Sequence, residues 1–188
     1  MIVFTDLETT GLSSRDHTVL EIASIITDDK LNELSSFHRI VHWWMASDIL
    51  KGVIPDPVTV NPYVLDMHMK NGLWLASSLS RDRLYHVDAE FAVWIKTYCP
   101  ETGEHTGPQL AGNTINFDRS FLQSCFPESH ALLHYRNIDV TTLNEYARRF
   151  WPSSFASRPQ RAEASHRAMD DVRESLATAR HYSEKLHE

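Results

Sequence analysis

The stretch "IVFTDLETTGL", residues 2–12, places two acids one residue apart at the end of an apolar run. Ile2, Val3 and Phe4 read as a short buried β-strand, and Thr9-Thr10-Gly11 reads as the turn that ends it. Side chains alternate along a strand, so Asp6 and Glu8 share one face and Leu7 points to the other. Two carboxylates crowded on one face repel unless something neutralises them. Either the pair is a solvated strand end, or it is part of a divalent-metal site, since hard cations such as Mg²⁺ take oxygen ligands.

Working outward, "TVLEIASIITD" alternates around Leu20, Ile22 and Ile25-Ile26 and reads as a second strand, with a turn near Asp28-Asp29-Lys30. "ELSSFHRIVHW" reads as a third, giving an antiparallel meander. "WWMASDILKGVIPDPVTVNP" is irregular, with three prolines. "PYVLDMHMKNG" has a helical start at Pro62 and a stop at Gly72. Val87, Phe91, Ile95 and Tyr98 recur at helical spacing, which predicts a core-facing helix. "PQLAGN" reads as a short strand leading into the helix "FDRSFLQSC". "YRNIDV" is another strand, "TTLNEYARRF" another helix, and "HRAMDDVRESLATARHYSEKL" a long closing helix. Strands followed by alternating helices and strands predict a mixed sheet flanked by helices, an α/β fold.

The 188 residues are expected to form one domain, 1–188, with a substantial core. No apolar stretch approaches the length of a membrane span, and a first strand starting at residue 2 leaves no room for a signal peptide. Cys99 and Cys125 lack metal-binding spacing, so a reduced cytoplasmic compartment is expected. The 18 basic and 25 acidic residues give a net charge of −7. Proteins that track long nucleic acids carry a basic stripe, so a nucleic-acid ligand here would be short or held locally.

"LAGNTINFDRSFL" offers a third acid, Asp118, in the first turn of a helix, where the helix dipole also favours a carboxylate. The fourth is Asp170 or Asp171. Met169, Val172, Leu176, Ala179, Ser183 and Leu186 form the stripe of the last helix. At about 100° per residue, Asp171 lies on the flank of that stripe and Asp170 nearly opposite it, facing water. His166 precedes Asp171 by five residues at the helix entrance and can take a proton from water. His134 and Asp139 have the same spacing. They span an extended segment that puts them on opposite faces, so His134 reads as structural.

Taken in order, "DLETTGL", "GNTINFDRSFL" and "HRAMDDVRES" resemble the three exonuclease motifs of the DEDDh superfamily. "HYRNIDVTTLNEYARRFWP" and "SHRAMDDVRESL" resemble the oligoribonuclease family within it. The resemblance implies an RNase H-like fold and a homodimeric 3′→5′ exoribonuclease that cleaves dinucleotides and other very short RNAs. It implies two divalent ions per site, Mg²⁺ or Mn²⁺, held by Asp6, Glu8, Asp118 and Asp171, with His166 as general base. It also implies that Leu12 wedges against a base, unless it is an ordinary turn hydrophobe, and that His68 caps a 5′ phosphate, unless it is a surface helix residue. Thr114 stands where a serine is usual. Tyr135 and Arg136 match a pair delivered from the partner protomer to the 5′ phosphate, which suits the planar donor fork of arginine. Tyr63 falls where a tryptophan is common, so stacking on a base would be weaker. The segment with Trp43-Trp44, Pro55, Pro57 and Pro62 is longer than the family's and either extends the binding site or packs over the core, with packing the favoured reading.

Two other functions remain in view. A DEDDh exonuclease trimming longer DNA or RNA would want more phosphate contacts than this acidic chain offers. A catalytically inactive nucleic-acid-binding or scaffold protein should have lost an acid or the histidine, and all five are present.

Overall fold

The computed structural model describes residues 1–43, 60–159 and 166–185. Trp44, Pro55, Pro57 and Leu186 lie outside the described residues, as does most of the long irregular segment. β1 (Ile2–Thr9), β2 (Val19–Thr27) and β3 (Glu33–Ile40) form the expected meander. β1 pairs antiparallel with β2, and β2 with β3. β4 (Gln109–Gly112) runs parallel to β1, and β5 (Asn137–Asp139) parallel to β4, giving the order β3-β2-β1-β4-β5. This is the mixed sheet of the RNase H-like fold.

Among the described residues the helices are α1 (Pro62–Lys70), α2 (Leu73–Leu79), α3 (Leu84–Tyr98), α4 (Asn116–Cys125), α5 (Pro127–His130), α6 (Val140–Phe150), α7 (Pro152–Ala156) and α8 (Ala168–Lys185). Strand alternation divides the core. Val3, Leu7, Ile22 and Ile26 face Val87, Phe91 and Ile95 of α3 and Phe121 and Leu122 of α4. Phe4, Ala23 and Ile25 face Val172, Leu176 and Ala179 of α8. Asp6 and Glu8 share the parity of Phe4, so the β1 face that carries them is the one α8 covers. With a strand on each side and helices on both faces, β2 is buried at every position rather than alternating.

Several local expectations need correction. Gly72 does end α1, at φ +78, but the chain starts α2 at once. α2 spans seven residues, too few for a helical stripe to be legible, yet it buries Leu73 and Trp74 beside Leu20 and Val60. Trp43 packs on that cluster, its ring 5.2 Å from Trp74. In α3 the stripe runs on to Cys99, four residues after Ile95, and Tyr98 is exposed. In α8 the buried place falls to Tyr182, whose hydroxyl donates to Asn144, and Ser183 is half-buried.

Candidate active site

β4 stops pairing with β1 at the Phe4–Ala111 level, because Gly112 leads into the turn before α4. The end of β1 therefore projects past its parallel neighbour, and the crevice beyond the carboxyl ends of such strands is where α/β sheets bind ligands. Leu7 N–H donates at 2.9 Å to Oδ1 of Asp118, in the first turn of α4. That bond ties the third acid to the strand that carries the first two. Asp171 reaches them from the first turn of α8, and Asp170 is exposed, as the helical phase requires.

Carboxylate oxygens of Asp6, Glu8 and Asp171 lie within 4.8 Å of one another. Asp118 and His166 line the same cleft, of about 400 Å³, together with Leu7, Leu12, Asn113, Thr114 and Phe117. The acids disturb one another strongly. Burial, then the charges of Asp118, Asp171 and Glu8, hold the Asp6 carboxyl well above its ordinary range. Burial, then Asp171, Glu21 and Asp118, push Glu8 up to about 8. Asp118 is pushed up to about 8, chiefly by burial and against the hydrogen bond from Leu7, with Asp139 and Asp171 adding to the rise. Four converging oxygen donors, three of them held above their ordinary range, are the donor set of a hard divalent cation, which removes the conflict when bound. The residues fit such a group.

Two residues of the cleft occupy the left-handed backbone region, Thr114 at φ +51 and His166 at φ +47. Such conformations are uncommon for non-glycine residues and persist where surrounding contacts over-determine them. Thr114 N–H donates to Thr141 Oγ1 at 3.0 Å, and the two hydroxyls are 3.2 Å apart. Leu12 stands 73% exposed on the rim.

The other expected residues lie elsewhere. Tyr63 is exposed in the first turn of α1. Tyr135 and Arg136 are exposed and outside this cleft. The Tyr135 ring stacks on His134 at 4.7 Å, and the Arg136 guanidinium lies 5.1 Å from its centre. His134 accepts from Arg136 N–H, a structural part as expected, and Asp139 caps α6. His68 departs from expectation. Val64 and His68 share the buried face of α1, so the imidazole is fully enclosed and cannot meet a phosphate at the surface as placed. Its Nε2 lies 3.0 Å from the Thr9 carbonyl and 3.7 Å from Glu8. Burial lowers its pKa, so it steadies the end of β1 as a neutral ring.

Glu21 was missed. It pairs across the sheet with Glu8, and its side chain is buried. Arg167 grips it with Nε at 3.1 Å and Nη2 at 2.8 Å, His38 approaches at 2.7 Å, and Ala168 N–H donates at 3.2 Å. Burial alone would raise its pKa, but the hydrogen bonds from His38 and Arg167, the Arg167 charge and the Ala168 N–H outweigh it and hold it at about 2. The signal was present as the one charged residue inside the apolar run "VLEIASII".

This sheet, with a carboxylate cluster at the projecting end of its first strand, defines an RNase H-like fold that carries a candidate divalent-metal site. A family model described as Exonuclease matches residues 55–179. Among solved structures, the chain is similar to exonuclease I from Methylocaldum szegediense (TM-score 0.63, 19% identity) and to E. coli exonuclease I in complex with a dA16 oligonucleotide (TM-score 0.64, 18% identity). Those alignments cover 98% and 97% of this chain but only 40% of each exonuclease I chain, and at that identity the likeness concerns the fold. Among curated relatives, the oligoribonuclease of Cutibacterium acnes is 33% identical over 99% of this chain and 86% of its own length. The mitochondrial oligoribonuclease of Bos taurus is 33% identical over 98% of this chain and 73% of its own. The chain belongs to the oligoribonuclease family.

Proposed function

We propose that this chain is a 3′→5′ exoribonuclease that hydrolyses dinucleotides and other very short RNA oligomers to mononucleotides. The observation that carries this reading is the convergence of Asp6, Glu8, Asp118, Asp171 and His166 on one cleft at the end of β1. The four carboxylates would hold two divalent ions, Mg²⁺ or Mn²⁺, whose chemistry is to neutralise the phosphodiester and lower the pKa of water. His166, exposed at the mouth of the cleft, takes the proton of the attacking water. Leu12, on the rim, wedges against a base, and the Thr114 hydroxyl offers a hydrogen bond to the substrate.

Length selection needs a wall at the 5′ end. Tyr135 and Arg136 lie outside their own chain's cleft and are already stacked on each other, an arrangement that supports delivery to a partner's cleft in a homodimer. Arginine there meets a 5′ phosphate as a charged, bidentate donor. Tyr63, exposed at the start of α1, supplies a ring for stacking. The net charge of −7 agrees with a short substrate that makes few phosphate contacts. A reduced, cytoplasmic setting suits two free cysteines.

A length series of 5′-phosphorylated RNA in Mg²⁺ or Mn²⁺ tests the reading. Dinucleotides should be cleaved with the highest kcat/KM, and a 20-mer far more slowly. Equal or better cleavage of the 20-mer would replace it with a trimming exonuclease of longer strands.

A further inference from the structure

His166 stands at the entrance of α8 in a left-handed backbone conformation, so something must hold it there. One side of the junction is gripped by Glu21 through Arg167 and the Ala168 N–H. The other side is gripped by a residue far away in sequence. Asn71 Nδ2 donates at 2.8 Å to the carbonyl oxygen of His166 itself.

Asn71 is built as a rigid post. Its backbone N–H donates to Met67 O at 3.1 Å and closes α1. Its Oδ1 accepts at 3.0 Å from Leu73 N–H, the start of α2. A backbone donor on one end of the amide and a backbone acceptor on the other leave one orientation that satisfies both. Gly72, at φ +78, makes the turn that aims this amide at the junction. The peptide after His166 is thereby pinned to the α1–α2 corner, and the direction of the imidazole follows from the backbone that carries it.

We infer that Asn71 is a positioning residue for His166, acting from outside the acid cluster by fixing the His166 carbonyl. This rests on the reading of His166 as the general base. Asn71 is not among the residues that line the cleft, so its loss should leave substrate and metal binding in place. A misplacement of a reacting group by about 1 Å can cost on the order of 10²-fold in rate.

The test is steady-state cleavage of a 5′-phosphorylated diribonucleotide in saturating Mn²⁺, with thermal melting to verify folding. Asn71→Asp keeps an oxygen for Leu73 N–H but loses the donor to His166. Asn71→Ser, run beside it, keeps a shorter acceptor and adds no charge. Both should lower kcat by about 10- to 100-fold while KM and the half-saturating Mn²⁺ stay within about threefold. In a His166→Ala background the same substitutions should cost nothing further, because their effect passes through the imidazole. A kcat within about twofold of wild type in both variants, beside a crippled His166→Ala, would overturn the positioning role alone. So would an undiminished loss in the His166→Ala background. A His166→Ala variant at the wild-type rate would overturn the reading of the base, and this inference with it.

Discussion

Glu8→Gln replaces an ionisable carboxyl with a neutral amide at a site where burial and the charges of Asp171, Glu21 and Asp118 raise the carboxyl from 4.5 to about 8. Between those values the unfolded chain has lost this proton and the folded, metal-free chain keeps it. The folded state then binds more protons, so its stability falls as pH rises through the window. At pH 7 the interval above 4.5 is worth about 3 kcal/mol at 1.36 kcal/mol per pH unit, an upper figure because the neighbouring acids share the strain. Glutamine carries no such cost. For a chain of this size about 2–4 °C accompanies each kcal/mol, so the metal-free variant should melt up to about 6–12 °C above wild type at pH 7. Scanning calorimetry in EDTA at pH 4.5, 7 and 8.5 reads this directly. The gain should be small at pH 4.5 and largest at pH 8.5. Excess Mn²⁺ should shrink or reverse it, because the ion stabilises wild type preferentially. The same variant should be inactive. A gain independent of pH, or a wild type that melts higher than the variant in EDTA at pH 8.5, would refute the picture of a self-repelling cluster.

Three further outcomes are expected. Asp171→Ala should abolish dinucleotide cleavage and Asp170→Ala should retain it, since only the former side chain reaches the cleft; the reverse result in a cleavage assay would overturn the placement of α8. Glu21→Gln should destabilise the fold by about 3 kcal/mol in urea at pH 7, the low end for a broken buried pair because Arg167 is one-third exposed. The Glu21 carboxyl lies below its ordinary value, so its contribution is complete above pH 4.5 and fades as pH falls toward about 2; an unchanged acid-unfolding profile in the variant would exclude this. Arg136→Ala should cost about 10–150-fold in affinity for a 5′-phosphorylated dinucleotide, from the ~1.5–3 kcal/mol of a charged hydrogen bond. Mixed after complete dissociation and exchange with Asp118→Ala, at a dinucleotide concentration where both parents are silent, it should recover roughly a quarter of wild-type activity through heterodimers, and a mixture no better than its parents after verified exchange would remove the trans-acting role.

The parts of the site that were legible in the chain are those governed by local periodicity. The two-residue repeat of a strand put Asp6 and Glu8 on one face, and the 3.6-residue repeat of a helix separated Asp171 from Asp170. Asp118 and His166 were candidates from their places at a strand-to-helix turn and a helix entrance, and the resemblance supplied their roles as metal ligand and base. Local periods also misled at their margins. Tyr98 and Ser183 fit a stripe by spacing, yet the buried places fall to their neighbours Cys99, the cap of α3, and Tyr182 of α8.

What no period could supply is which distant segment an element lies against. His68 is an unremarkable helix position until α1 packs on the end of β1, 59 residues earlier, and closes the imidazole in. Asn71 acts across 95 residues and Glu21 across 146. The chain alone determined the strands of the sheet, the longer helices and the placing of Asp6, Glu8 and Asp171, because alternation and amphipathicity depend only on neighbours a few residues away. Tertiary packing decided how those acids are held and what steadies the histidine, because hydrogen bonds and buried charges depend on distance in space, which sequence separation does not encode.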